Sequence, residues 1–475
     1  MKKILPWLVG LAITGIASTS VISCIAPRYA VGAEGQRVVV STSGRINDHS
    51  FNEDAYIGMK SFVKTEYGLD GKHNYVEASD TSSTSVVSAY RLAKLKKADA
   101  VILPGFNHIT TIAAAAKLFG QKTIVLVDGT PGSNDKIYDH VISVLFNSQL
   151  GGVQAAFDAA YWATTKDENG KMQGDASGDG KITFGTFAGA SNKYGVDNYM
   201  WGLLLGMDLF NKWYAATKGS DHDESYRQVY LANTDDRKIE SVKITNTSSA
   251  DWWTNSFDLG AATKSGIVSK LVDDRKADII FPVAGPQIED VLNYHPRSGY
   301  KGVPYVIGID VDQAQIFDAP AYRGRFITSA IKNVHSATKV ALGHAGSLVT
   351  KQADGKYRAK TSADEIWDGT TPGRYKNWSV DLLDDGSGKY KIRQHYLHLF
   401  DGENGEGGVD PDEAGSKPVD ESDNSKDILI NWVNQHFAAL GTTAIDYLDG
   451  KDITKLAQDI IDKADKNHGF KLIYD

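Results

Sequence analysis

The passage Val38-Val39-Val40-Ser41-Thr42-Ser43-Gly44-Arg45-Ile46-Asn47-Asp48-His49-Ser50-Phe51-Asn52-Glu53 decides the fold. Its first five residues, rich in β-branched side chains, read as a short strand. From Phe51 to Tyr67 the apolar residues Phe51, Ala55, Gly58, Met59, Phe62 and Val63 recur at helical spacing. Ser50 followed by Glu53 is a capping-box pattern, which predicts a helix N-terminus at Ser50. Phe51 and Asn52 then fall in the first helical turn, facing the end of the sheet. An aromatic there either tucks into the core or forms one wall of a cleft, and position alone leaves both open.

Outward from this passage the same alternation continues. Ala98–Leu103 reads as strand, His108–Phe119 as helix, Lys122–Val127 as strand and Leu150–Thr164 as helix. After an acidic, Gly-rich insertion at Asp167–Asp179 the pattern restarts with strand Ile182–Phe187, helix Val196–Ala215 and helix Leu259–Asp273. Strands at Ala277–Val283, Val303–Ile309 and Phe326–Ile331 follow. Strands separated by helices make βαβ units and a parallel sheet. Two such series, interrupted near 165–180, predict an α/β fold of two doubly wound parallel-sheet lobes plus a C-terminal extension. In such lobes ligands sit beyond the carboxyl ends of the strands.

The chain has 475 residues with a net charge of −8, which argues against a nucleic-acid partner. Met1-Lys2-Lys3 is a short positive segment, and Ile4 to Ser23 is apolar and uncharged. That length suits a membrane span or a secretion signal. The run ends in Val21-Ile22-Ser23-Cys24, the only cysteine in the chain. This end resembles a bacterial lipoprotein signal, cleaved before a cysteine that then carries lipid; the alternative is an uncleaved anchor helix. Either way the body is expected outside the cytoplasm, tethered to the membrane. Without a second cysteine it has no internal disulfide, so core packing must stabilise it.

The string G-x-I-x-D-x-S-F-N-x-x-A-x-x-G from Gly44 to Gly58 resembles the signature of the basic membrane protein family, the PnrA-like substrate-binding lipoproteins of ABC importers. Leu103-Pro104-Gly105-Phe106 and Ile124-Val125-Leu126-Val127-Asp128 are similar to the ends of that family's second and third strands. Asp278-Ile279-Ile280-Phe281-Pro282-Val283-Ala284-Gly285, Ile307-Gly308-Ile309-Asp310-Val311-Asp312-Gln313 and Thr328-Ser329-Ala330-Ile331-Lys332 follow in the family's order. The resemblance covers about residues 37–345. It implies two lobes of the type I periplasmic-binding-protein kind, hinged about a cleft that closes on a purine nucleoside for delivery to a permease.

On that resemblance Phe51 stacks on the base and Phe257 supplies the opposite wall. Asp128 accepts hydrogen bonds from the base, and Asp310 takes the ribose hydroxyls with Lys332 beside it. Thr42, Asp48, Asn52 and Gly285 complete the implied ligand-binding set. A flat π face suits aromatic walls, at roughly 1–3 kcal/mol per stacked base. A ribose diol offers two donors to one carboxylate, at about 1.5–3 kcal/mol per charged hydrogen bond. Read without the family, Asp310 and Lys332 are equally a plain ion pair between lobes. Thr42 stands where the family commonly has Asp, and Gly285-Pro286-Gln287 replaces a glycine-rich turn. These departures leave the preferred base open.

The lobes are expected over 37–400, the first spanning 37–148 with a return near 310–332. Residues 24–36 carry no periodic pattern and read as a flexible tether. Residues 401–426 read as an acidic, Gly-rich linker and 427–475 as a helical segment, with amphipathic patterns at Asp427–Leu440 and Thr454–Ala464. The run Asp175 to Ile182 resembles the start of a calcium loop, but its twelfth position is Thr186, so a surface turn is the preferred reading. Gly120-Gln-Lys122-Thr123 lacks the upstream Gly of a phosphate loop and reads as a turn. His395 and His398 fall on opposite faces of an apparent strand. No metal or cofactor is expected, and the binder is expected to be a monomer. Other readings are a binding protein for another solute such as a sugar, and an enzyme acting on nucleosides.

Overall fold

In the computed structural model the described residues are 29–131, 135–146, 148–216, 227–243, 251–317, 319–332, 334–359, strand fragments between 378 and 397, and 450–466. The first sheet contains β1 (Val38–Thr42), β2 (Tyr75–Glu77), β3 (Ala100–Pro104), β4 (Thr123–Val127) and β5 (Val141–Leu145). They run parallel in the order β2-β1-β3-β4-β5. The second sheet contains β6 (Ile182–Ala188), β7 (Val229–Leu231), β8 (Ile279–Val283), β9 (Tyr305–Asp310) and β10 (Phe326–Ile331). It repeats the same parallel order, β7-β6-β8-β9-β10. Trp378–Ser379 extends the first sheet at β5, and His395–Leu397 pairs antiparallel with β10. Two doubly wound lobes are therefore present, as the alternation predicts.

Strands β1, β3, β4 and β8 are buried along their whole length, because helices cover both faces of each sheet. On one face of the first sheet lie α1 (Phe51–Tyr67) and the later helix Val334–Gly343; on the other lie α2 (Ser83–Leu95) and α3 (Ile112–Phe119). The second sheet packs α4 (Ser148–Thr164) and α5 (Asn198–Ala216) on one face. Short helices, among them Ile288–Leu292, cover the other. The helix expected over Leu259–Asp273 is three short pieces, Ala261–Ser265, Ile267–Ser269 and Lys270–Asp274. Gly266 at φ 74° ends the first piece, a left-handed conformation that glycine adopts without steric cost.

The path between lobes differs from expectation. Residues 310–332 do not return to the first lobe: Asp310 ends β9, and β10 pairs with β9 in the second sheet. The return comes one element later. The helix Val334–Gly343 puts Val334, Ala337, Ala341 and Leu342 into the first lobe's core with Leu348. Nor is the stretch before β1 a free tether over residues 29–36. Ala30 N–H donates to the Lys96 carbonyl, Val31 N–H to Asn74 Oδ1 (2.7 Å) and Gly35 N–H to Asp99 Oδ2 (2.8 Å). These bonds pin the segment to the first lobe, which composition alone does not reveal.

At the other end, a helix over Gly450–Lys466 docks against α5 and buries Ile453, Ala457 and Ile461 in the second lobe's core. The pattern at Thr454–Ala464 thus lies on a helix. The signal segment, Cys24, the 401–426 linker, the Asp427–Leu440 pattern and His398 lie outside the described residues. No helix among the described residues is long and apolar enough to cross a membrane.

Candidate functional site

The loop after β1 starts α1, but its cap is not the expected one. The Ser50 side chain makes no capping bond. The Asp48 carboxylate instead accepts the N–H groups of Ser50, Asn52 and Glu53 at 3.0–3.1 Å, and Glu53 accepts from the His49 N–H. A carboxylate before a helix satisfies orphan amides as well as a hydroxyl does, and it complements the helix dipole. Ser50 Oγ is thereby released to donate to Asp310 Oδ2 (2.8 Å), across to the other lobe.

A cavity of about 620 Å³ lies between the lobes, beyond the carboxyl ends of β1, β3, β4, β8, β9 and β10. That is within the ~300–1,000 Å³ usual for small-molecule sites. Its lining includes Phe51 and Phe106 from the first lobe and Phe257 from the second. Phe106 and Phe257 meet edge-to-face with ring centroids 5.7 Å apart. Asp48, Asn52, Asp128, Gly285, Asp310 and Lys332 also line it. Of the residues expected from sequence, Thr42 is the one left out. It is fully buried beneath the loop, and its hydroxyl donates to the Gly44 carbonyl (2.5 Å). Asp48 spends its carboxylate on the helix start, and Asn52 Nδ2 donates to the Arg45 carbonyl (3.1 Å), bracing the same loop.

Lys332 organises the floor. It is 1% exposed, with Nζ 2.9 Å from Asp128 Oδ2, 3.8 Å from Asp310 Oδ1 and 3.1 Å from the Gly195 carbonyl. The ammonium also lies 4.9 Å from the Tyr199 ring centroid and 5.2 Å from that of Phe51, within cation–π range. Asp310 and Lys332 belong to one lobe, so they are not an ion pair between lobes. That role falls to Lys332 and Asp128. Burial holds the Asp310 carboxyl above the ordinary range, against the pull of Lys332 and of the Ser50 hydroxyl. The second oxygen of Asp128, Oδ1, is buried without a hydrogen-bond partner. Both carboxylates sit on left-handed backbone, φ 67° at Asp128 and 64° at Asp310. That conformation is uncommon for residues with a Cβ and gathers at functional sites.

Two glycines let the lobes approach this closely. A Cβ on Gly195 would lie 2.4 Å from Asp128 Oδ2, and one on Gly285 would lie 2.3 Å from Ser50 Oγ. Gln313 adds a further tie, its Nε2 donating to the Gly285 carbonyl (3.1 Å) and to the His49 carbonyl across the cleft (3.4 Å). Phe106, Ser50, Gly195 and Gln313 were not among the residues expected from sequence. Phe106 and Gln313 end two of the quoted motifs, a signal that was present.

The features set aside above find ordinary roles. Asp175 accepts the Gly178 and Gly180 N–H groups, while Asp179 accepts from Lys181 N–H and pairs with Arg237. Among the described residues no three His, Cys, Asp or Glu side chains group as metal ligands. Apart from those features, the adjacent pair Trp252 and Trp253 is buried beside the end of β6, in the second lobe's core.

Three carboxyls give the protein a pH dependence. Desolvation pushes Asp54 and Asp278 up to about 7 and Asp48 up to about 6. A carboxyl that holds its proton more tightly folded than unfolded favours the folded state as pH falls through the folded value, until the unfolded value near 3.8 is passed. His108 opposes this, but only below its ordinary value of 6.5, because burial lowers it to about 3. The melting temperature is therefore expected to be higher at pH 6.5 than at pH 8.5. A scanning-calorimetry series showing an equal or higher melting temperature at pH 8.5 than at pH 6.5 would contradict the assignment.

No family model and no curated protein matches the chain. Among solved structures it is similar to an ABC transporter system solute-binding protein from Aeropyrum pernix K1, with 16% identity over 90% of this chain and 86% of that one and a TM-score of 0.47. A carbohydrate transporter solute-binding protein from Chloroflexus aurantiacus, in complex with D-glucose, shares 15% identity over 65% of this chain and 82% of that one, TM-score 0.41. An ABC transporter solute-binding protein from Agrobacterium vitis, bound with alpha-D-tagatopyranose, shares 12% identity over 64% of this chain and 85% of that one, TM-score 0.41. These are distant likenesses to transport-associated binding proteins.

Proposed function

We propose that this chain is an extracytoplasmic solute-binding protein, anchored by lipid on Cys24, that captures a purine nucleoside and hands it to an ABC-type permease. It would then be a member of the basic membrane protein family and not an enzyme. The observation that carries this reading is the floor of the cleft. Asp128 Oδ1 is buried with no hydrogen-bond partner among the described residues, Lys332 and Asp310 lie alongside, and aromatic rings from both lobes line the same cavity. An unpaired buried carboxylate oxygen calls for a donor from a ligand. Asp310 suits a diol, Asp128 suits N–H groups on a base, and Phe51 and Phe257 suit its faces. The same carboxylates also suit the hydroxyls of a free sugar, which makes sugar the second reading.

Titration calorimetry with inosine, guanosine, adenosine, free bases, ribose and glucose separates the two. A nucleoside is expected to bind at least tenfold more tightly than any sugar, and the reverse order would overturn the proposal. Phe51→Ala and Asp310→Ala are each expected to cost at least about 1.5 kcal/mol of affinity. Incubation with inosine and adenosine is expected to release no free base; turnover would mean an enzyme.

A further inference from the structure

The end of the first lobe farthest from the cleft carries an unusual surface. Four large apolar side chains are exposed there or close by: Tyr29 (60%), Leu95 (55%), Leu92 (46%) and Val31 (37%). Leu92 and Leu95 lie three apart on α2, on the face opposite its buried Val86, Ala89, Tyr90 and Ala93. Cations are interleaved with them. Arg91, Lys94 and Lys97 are exposed, Lys96 follows the helix, and the Lys97 ammonium rests 4.3 Å from the Tyr29 ring centroid. From Ser83 to Lys97 there is no carboxylate, although the chain as a whole carries a net charge of −8. Asp99 nearby is buried and paired with Lys122, which leaves Glu34 as the exposed acid of the adjoining segment.

The position of this surface follows from the chain path. The C-terminus of α2 leads into the start of β3, whereas the cleft lies beyond the other end of the same strands. Tyr29 to Gln36 are pinned to this pole by the bonds of Ala30, Val31 and Gly35. Cys24 is only five residues before Tyr29, a reach of at most about 18 Å. A lipid on Cys24 would hold this pole, and no other part of the lobe, against the bilayer.

We propose that this pole, centred on Tyr29, Arg91, Leu92, Lys94, Leu95 and Lys97, rests on an anionic lipid surface. The inference builds on the lipid anchor proposed above. Basic side chains beside exposed leucines and a tyrosine are the chemistry of interfacial attachment: the cations meet anionic headgroups and the apolar tips enter the boundary layer. In this pose the cleft faces away from the bilayer, open to solvent, which suits capture of a solute before any transfer.

The test uses protein spanning residues 25–475, which contains every described residue and carries no lipid. Sedimentation with vesicles of 30% phosphatidylglycerol in phosphatidylcholine is compared with pure phosphatidylcholine. The protein is expected to bind the anionic vesicles at least tenfold better, and 0.5 M salt is expected to remove the difference by screening. The triple variant Arg91→Glu, Lys94→Glu, Lys97→Glu is expected to fall to the phosphatidylcholine level. A control of equal charge change on the second lobe, the exposed Lys171→Glu, Lys238→Glu, Lys264→Glu, is expected to bind within twofold of the parent, with all proteins melting within about 3 °C of one another. Equal binding to both vesicle types, full binding by the first variant, or equal loss in the control would overturn the proposal. Whether Cys24 carries lipid is read separately, by mass spectrometry of the membrane-extracted protein, so failure of the anchor and failure of the surface are distinguishable.

Discussion

Lys332→Met is expected to destabilise the protein by about 3–5 kcal/mol at pH 8, the usual cost of removing one partner from a buried ion pair. Methionine keeps much of the packing beside Phe51, Phe146 and Tyr199 while deleting the charge. Asp128 and Asp310 are then left facing one another, both buried, with no cation between them. Like charges at close range in a poorly solvated site cannot both stay ionised, so one carboxyl takes up a proton. The defect is therefore expected to shrink as pH falls from 8 to 5. Urea denaturation at the two pH values measures it directly. A loss below about 1 kcal/mol at both would mean that Lys332 does not hold the floor together. Lys332→Ala should cost more than Lys332→Met, because it adds a cavity to the missing charge.

The second large effect is expected at the glycines where the lobes meet. Gly195→Ala places a methyl group 2.4 Å from Asp128 Oδ2, and Gly285→Ala places one 2.3 Å from Ser50 Oγ. Overpacking of this kind typically costs about 1–3 kcal/mol inside a rigid core. Here the lobes can swing apart and avoid it, so the cost is expected in ligand affinity and not in stability. That corresponds to roughly 5- to 150-fold weaker binding of whichever small solute binds the parent best. Small-angle scattering of the unliganded double variant is expected to give a larger radius of gyration than the parent. Affinity within twofold of the parent would show that closure does not pass through these contacts.

Much of the architecture was legible because strands covered on both faces must be apolar throughout. Val38–Thr42, Thr123–Val127 and Ile279–Val283 announce themselves for that reason. Periodicity names an element but not the sheet it joins. Hence the sequence pattern places the return near 310–332, over β10, whereas the structure makes it one element later, through the helix Val334–Gly343. The loop before α1 offered two capping groups, and sequence could not choose between the Ser50 hydroxyl and the Asp48 carboxylate. The choice matters, since it frees Ser50 to reach Asp310. Lys332 lies 3.8 Å from Asp310, but its shorter contact, to Asp128 on the other lobe, depends on a separation of 204 residues that no local pattern encodes. Thr42 enters the expected set only through the family resemblance; in the structure it is fully buried, with its hydroxyl bonded to the Gly44 carbonyl.

The interleaving of the lobes bears on how the molecule is made. The first lobe lacks part of its core until Leu348 has left the ribosome, and the second until Ile461 has done so. Neither half can be finished early and stored while the rest is synthesised. A nascent chain with this connectivity stays unfinished until Ile461 has emerged. The same crossings that shape the cleft therefore also tie the folding of each half to the synthesis of the other.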